Sequence, residues 1–492
     1  MTQALPAASA PPDVAAPRVA PDFLIVALAC LGQFLVVLDA AVVNVALPST
    51  GAALHFSATG LPWVVNGYAV TVAGLLLLGG RAVDVFGRRR IFLLGLATFT
   101  LASLACGLAV SPGMLVAARF VQGAGAAAIG PSSLTILTTT LPAGPRRTKA
   151  LGTWSAVGAA GGAVGNVLGG VLTSALSWRY VFLINLPIGA GLILLASVYL
   201  TDQRSEQKQR LDVLSVLTVT GGLSLLEFGV IQTRAHGWTG AAALVPMALG
   251  ALAIAAFLTV QARTTGTPLL PLRLLRSRTV AAVNLTVLGT GAAFFSMWYF
   301  MSLYVQGVLG YGPLSAGLAF VPHTVTVVLS ARLLTPRLLA VLPARTVVVA
   351  GTLISAAGFL WQSTLTPHSG YLTGVVGPGL LITLGMGMSF TPLASIATTG
   401  VATSQAGLVS GLLNTSRQIG GSVGLAALVT LASAASLSWA GGNGAAAATG
   451  QGLTAGYHLV FLGSATVLVA AALLAQFGLP AGEPPARGGK ST

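Results

Sequence analysis

The chain has 492 residues, 55% of them hydrophobic and only 7% charged. Soluble proteins carry about 25% charged residues, so a soluble enzyme or binding module is excluded and a polytopic membrane protein is indicated. The formal net charge of +15 sits in short loops between apolar runs, which argues for membrane orientation and against a nucleic-acid partner.

The first 22 residues, rich in Ala and Pro, read as a disordered tail without the charged start and cleavage pattern of a signal peptide. Apolar runs long enough to cross a bilayer as helices then fall near 23–46, 61–80, 91–110, 113–138, 148–174, 180–200, 211–233 and 241–262. Six more lie near 280–303, 314–334, 345–363, 370–393, 405–436 and 455–478, making fourteen spans. An even number puts both termini on one side. If that side is cytoplasmic, Arg179 and Arg234 are outside and Arg119 and Arg417 lie within spans, leaving 20 of the 24 basic residues inside. So one-sided a split is the positive-inside pattern. The predicted fold is all-α: a six-helix bundle at 23–200, an inserted pair at 211–262, a second six-helix bundle at 280–478, and tails at 1–22 and 479–492.

Span 1 closes on Leu38-Asp39-Ala40-Ala41-Val42-Val43-Asn44-Val45-Ala46-Leu47-Pro48. An aspartate in a span costs about 2.5–3.5 kcal/mol on insertion scales, so Asp39 is a candidate for proton uptake and release. The plain alternative is a carboxylate permanently satisfied by its neighbours. Span 2 opens on Trp63-Val64-Val65-Asn66-Gly67-Tyr68 and ends at the charged turn Gly80-Arg81-Ala82-Val83-Asp84-Val85-Phe86-Gly87-Arg88-Arg89-Arg90. There Gly80 and Gly87 allow close approach or sharp turning, and Asp84 is placed to pair with a local arginine or a helix N-terminus. Span 4 carries Arg119 and Gln122. With spans 1 and 4 antiparallel, Asp39 and Arg119 each lie about 10 Å from the same boundary at 1.5 Å per residue, so they are expected to couple, either across a cavity or as a static pair.

Span 5 has Gly158, Gly161, Gly162, Gly165, Gly169 and Gly170 at three- and four-residue spacing, a smooth stripe for close packing. Span 6 opens on Trp178-Arg179-Tyr180-Val181-Phe182-Leu183-Ile184-Asn185-Leu186-Pro187. Glu227 lies in the inserted pair, where a peripheral or lipid-facing position is expected. Cys30 and Cys106 fall inside apolar runs, so neither a disulfide framework nor a metal site is indicated. In the second half Ala331-Arg332-Leu333-Leu334-Thr335 weakly echoes Gly80–Asp84, with Thr335 where the first copy has its carboxylate. Span 10 holds His323, and span 13 holds Asn414-Thr415-Ser416-Arg417-Gln418-Ile419-Gly420-Gly421. A lone histidine there is read first as a hydrogen-bonded packing residue.

The spacing from Gly80 through Asp84 and Gly87 to the arginines resembles the loop between helices 2 and 3 of the major facilitator superfamily. The span-5 run Gly161–Gly170 resembles the antiporter signature, with Asn166 where a proline usually follows the central glycine. With the motifs at Asp39, Trp63, Arg119, Trp178, Pro268–Arg278 and Asn414, the resemblance is to the drug:proton antiporter family with 14 transmembrane helices. It runs from about residue 23 to 478.

That resemblance implies a two-bundle transporter, with no enzymatic activity and no cofactor, that rocks between inward and outward states. It would export small amphipathic compounds across a bacterial cytoplasmic membrane against proton entry, with both termini cytoplasmic and the protein a monomer. It further implies proton coupling at Asp39 and Arg119 and a conformational latch at Gly80, Asp84, Gly87 and Arg88. A substrate cavity is expected to draw on Asn44, Trp63, Asn66, Tyr68, Gln122, Trp298, His323 and Arg417. Uptake of an organic nutrient by proton symport is the alternative within the class. A membrane-embedded enzyme would need paired carboxylates or His/Cys ligands at metal spacing, and a channel would need carbonyl or charge rings; neither pattern is in the sequence. No acidic residue lies between Glu227 and Glu483, so neutral, weakly acidic or singly cationic cargo is expected in preference to dications.

Overall fold

A computed structural model describes residues 21–57, 60–141, 145–200, 213–237, 239–264, 272, 276–398, 403–443 and 449–481. Within the helices some side chains, that of Asp84 among them, lie outside the described residues, as do nearly all of both expected tails.

The helices of the first half are α1 (Asp22–Ala53), α2 (Trp63–Phe86), α3 (Arg88–Gly107), α4 (Pro112–Thr140), α5 (Pro145–Ala175) and α6 (Tyr180–Tyr199). Next come α7 (Val213–His236) and α8 (Ala241–Arg263). The second half has α9 (Arg278–Val308), α10 (Pro313–Leu339), α11 (Ala344–Gln362), α12 (Tyr371–Ala397), α13 (Thr403–Asn443) and α14 (Gly450–Gly478). Eleven helices among the described residues are long and apolar enough to cross a membrane, and α2 and α7 carry shorter apolar stretches. The remaining helix, α5, is 31 residues long and its Gly and Ala content lowers its hydropathy. Large apolar side chains remain on the outside: Leu94, Leu101, Leu217 and Leu252 are all more than 60% exposed, as a surface facing hydrocarbon requires.

Local chemistry sets several boundaries. Ser111 accepts a hydrogen bond from the Met114 amide and Pro112 occupies the first turn, together starting α4. The predicted charged turn is corrected: α2 runs on as helix through Phe86, and α3 restarts at Arg88. The break is the single residue Gly87, at φ 90°, a backbone region that a Cβ disfavours. Residues 81–86 have no proline or glycine to stop the helix, so charge alone does not end it. Pro48 lies within α1, and in the second half α9, α10 and α12 include π-helical turns at Tyr304–Val308, Ser330–Leu334 and Tyr371–Val376.

The two halves meet unequally. At the end where α1 and α9 finish, one hydrophobic core contains Val42, Val45, Phe182, Phe294, Phe300, Phe320, Phe359 and Phe461. At the end bearing the arginines of Gly87–Arg90, the halves keep separate cores. Phe92, Leu96, Ile136 and Ala196 belong to one, and Val283, Val348, Leu393 and Ala475 to the other. Polar contacts stitch the shared end: Ser302 Oγ donates to the Asn44 carbonyl at 2.6 Å and Gln306 Nε2 to the Val45 carbonyl at 3.0 Å. Backbones also touch there, since a side chain at Gly317 would strike the Asn166 carbonyl and one at Gly170 would meet Pro313 and Leu314.

Helices α7 and α8 pack tightly on each other, Gly222 against Gly250 and Gly229 against Met247. Their common seam faces α2 and α13, where Leu223 joins Val70, Ala73 and Ile419, and Val230 joins Trp63 and Ala426.

Candidate functional site

Asp39 sits in the interior of the first half with no exposed surface. Its Oδ2 accepts from Arg119 Nη1 at 2.6 Å. Its Oδ1 accepts from Gln122 Nε2 and from Asn185 Nδ2, each at 2.8 Å. Arg119, 1% exposed, also donates from Nε to the Val64 carbonyl at 2.8 Å and from Nη1 to Gln122 Oε1 at 2.7 Å. Ser103 Oγ accepts from Gln122 at 2.7 Å and from Asn185 at 3.3 Å. The guanidinium lies 4.3 Å from the centroid of the Tyr68 ring and 5.8 Å from that of Phe182, close enough for cation–π attraction.

One carboxylate is thus held by donors from α4 and α6, with α2 and α3 closing the network. Arg119 and Gln122, three residues apart, share one face of α4 and reach the same carboxylate. A charge pair this deep persists because its oxygens and N–H groups are satisfied. The attraction depends on charge: a proton on Asp39 would remove the charge that holds Arg119. The equal depth read from sequence places the two residues together, but as direct partners and not across a cavity. Asn185 and Ser103 belong to the site too.

Of the residues expected in the latch, Gly80 and Arg88 meet neighbours of the first half. Gly80 has open space about it, with Pro131 Cβ 3.9 Å from where its own Cβ would sit; close approach falls instead to Gly79, over the Ala127 carbonyl. Arg88 is buried and bonds Thr139 of α4. Arg89 Nη2 donates to the Ser197 carbonyl of α6 at 2.7 Å. The Asp84 side chain lies outside the described residues.

The residues expected to line a cavity make contacts in several places among the described residues. Tyr68 and Gln122 belong to the Asp39 network. Asn44 donates to the Ala40 carbonyl on its own helix, and its carbonyl lies at the α1–α9 contact. Trp63 stacks on Phe120 with centroids 6.0 Å apart. Trp298 meets Phe320 and His323 edge-on. His323 is fully buried, its Nε2 lies 3.1 Å from the Val375 carbonyl, and Gly379 makes room for the ring. It packs α10 against α12. Arg417 bonds Asn414 at 2.6 Å and lies over Phe390. The expectation for Glu227 is also corrected: it is completely buried, because its face of α7 is covered by the rest of the molecule and not by lipid. Among the described residues, no three His, Cys, Asp or Glu side chains come together as a metal ion would need.

The profile of the Major Facilitator Superfamily matches residues 29–425. The chain is 47% identical to the "Cephamycin export protein CmcT" of Amycolatopsis lactamdurans, over 91% of this chain and 90% of that one. It is 36% identical to the "Puromycin resistance protein pur8" of Streptomyces alboniger, over 92% and 90%. In fold it is similar to the POT family transporter PepTSo, with a TM-score of 0.68, 14% identity and coverage of 93% and 97%. With that profile across most of its length and an all-α, multi-span fold to match, the chain belongs to the Major Facilitator Superfamily.

Proposed function

We propose that this protein is a proton-coupled exporter of small amphipathic antibiotics or related natural products. On this reading it has fourteen spans, two six-helix bundles with α7 and α8 inserted between them, and acts as a monomer in a bacterial cytoplasmic membrane. The basic end and both termini are cytoplasmic, in keeping with the one-sided arginines. On that orientation the core shared by the two halves lies at the outer end.

The observation that carries the reading is the buried Asp39–Arg119 pair. With Asp39 ionised, Arg119, Gln122 and Asn185 hold α1 to α4 and α6. A proton arriving at Asp39 cancels the attraction and frees α1 to shift. The same helix offers the Asn44 and Val45 carbonyls to α9, so loosening it alters the α1–α9 contact directly. The proton moves down its gradient and the cargo moves outward. Gly80, Asp84, Gly87 and Arg88 serve as the cytoplasmic latch between states. The cephamycin and puromycin relatives support antibiotics as the cargo class.

Inverted vesicles test this with a cephamycin and puromycin as probes. An imposed proton gradient should drive accumulation of at least one by the wild type, and Asp39→Asn should abolish that accumulation while the protein remains in the membrane. Undiminished gradient-driven transport by the variant would overturn the assignment, and gradient-driven movement in the opposite sense would identify a symporter.

A further inference from the structure

Arg417 of α13 stands in a half of the molecule that contributes no acid, since none occurs between Glu227 and Glu483. Its level can be read from the cores. On α13, Leu413 belongs to the core of the second half alone and Leu425 to the core that the halves share. On α9, Val287 and Ala293 mark the same change, and a side chain at Gly291, between them, would strike the Arg417 carbonyl. In the first half the change falls between Leu35 and Val42 of α1, on either side of Asp39. Arg417 and the Asp39–Arg119 pair therefore stand at corresponding levels of the two halves, each where the shared core gives way to a separate one.

The first half meets its cation with a carboxylate, but the Arg417 guanidinium is short of partners. Its Nη2 donates to Asn414 Oδ1 at 2.6 Å. Among the described residues its Nε is buried without an acceptor, and it takes part in no salt bridge. Asp39 is held by Arg119, and the Glu227 oxygens bond to no described residue, Arg417 included.

The surroundings are aromatic. The guanidinium lies 5.5 Å from the centroid of the Phe390 ring, which packs on the shared core and meets Phe294 edge-on. One turn further along α13, Gly421 leaves room for the ring of Phe295. Asn414 is exposed, and Arg417, Phe390 and Phe295 are half-buried, so the patch borders the packed core without being closed into it. A cation within a span costs about 2.5–3.5 kcal/mol on insertion scales, and such residues face the bundle interior or a water-filled path in preference to lipid. A guanidinium with N–H groups to spare takes a carboxylate through short, charge-assisted hydrogen bonds. Phenyl rings beside it take an apolar or aromatic body by edge and face contact.

We propose that Arg417, with Asn414, Phe390 and Phe295, recognises the carboxylate of an amphipathic anionic cargo. The cargo brings to the second half the negative charge that Asp39 provides in the first. This deepens the export reading and rests on it for the word cargo; the binding itself does not depend on transport.

Cefoxitin, a cephamycin with one carboxylate and a thienyl ring, and its methyl ester are the probes. Equilibrium dialysis on the full-length protein in lipid nanodiscs, with no proton gradient, measures the binding of each. The wild type should hold the acid about tenfold or more tighter than the ester, as one charge-assisted hydrogen bond is worth. Arg417→Gln should bring that ratio to about one, and Arg417→Lys, which keeps the charge and loses the planar fork, should fall between. A ratio within each protein is unmoved by a change in its folded fraction, and the wild-type comparison needs no variant. No measurable binding of the acid, equal binding of acid and ester by the wild type, or an undiminished ratio in Arg417→Gln overturns the proposal. Equal binding of acid and ester alongside gradient-driven puromycin transport in the inverted vesicles fails this site and leaves the export reading standing. A preference for the acid that Arg417→Gln removes, with no gradient-driven transport of either antibiotic, fails the export reading and leaves the binding site standing.

Discussion

Replacing Asp39 by Asn keeps the side-chain volume but removes the charge that Arg119 meets at 2.6 Å. The guanidinium, 1% exposed, would keep only the Val64 carbonyl and Gln122 Oε1 as neutral acceptors. Stranding one member of a buried ion pair costs about 3–5 kcal/mol. Arg119→Gln strands the other member more gently, because Gln122 and Asn185 still donate to Asp39; its cost should fall near the bottom of that range, about 3 kcal/mol. The double variant contains neither charge and should cost less than the two singles together, by about 2–3 kcal/mol. Unfolding free energies from denaturant titration in mixed micelles, measured for all four proteins, read that coupling. Additivity to within about 0.5 kcal/mol would show that the two residues do not act as a pair, and the transport argument built on their separation would fail with it.

Two further outcomes follow from the shared end and from the charge distribution. Gly317→Val places a branched side chain against the Asn166 carbonyl and the Gly170 backbone, so it should wedge α5 from α10. Spin labels across that end should show a longer distance in most molecules, and an unchanged distance distribution would refute the wedge. The stretch between Glu227 and Glu483 has no acidic residue, and both Asp39 and Glu227 are buried away from solvent. A host lacking its own pumps should therefore gain protection against neutral or weakly acidic antibiotics and little against dicationic biocides of similar lipophilicity. Strong selective protection against the dications would refute this.

Much of the fold was legible because hydrocarbon imposes a length on every apolar run, and each run read from sequence overlaps one of α1 to α14, although several helices, among them α1 and α13, run on well past the end of their runs. Depth was legible for the same reason, which is how Asp39 and Arg119 could be matched from separate helices. Rotation about each helix axis was not. Asn185 lies 146 residues from Asp39, and nothing in its span says that its amide turns inward to the carboxylate. Trp63, Asn66, Trp298 and His323 were assigned to one cavity on type and depth, while packing distributes them over different interfaces. Glu227 shows the same limit: its membership of an inserted pair suggested the periphery, yet α2 and α13 cover its face of α7. The stretch after Gly80 was misread for another reason, since a cluster of charges resembles a turn although only Gly87 has the backbone freedom that interrupts a helix.

Pro48 gives the contact between the two halves at the α1–α9 end a particular character. Proline has no N–H, so α1 has nothing to return to the carbonyl four residues earlier, and that carbonyl belongs to Asn44. Its hydrogen bond comes from the opposite half of the molecule, through Ser302. The contact is therefore fastened at an oxygen that the helix itself leaves unclaimed. Parting the halves breaks the bonds from Ser302 and Gln306 but no bond within α1, and water can occupy the Asn44 oxygen until Ser302 returns. A helix with one spare acceptor can be gripped and let go without losing any bond of its own.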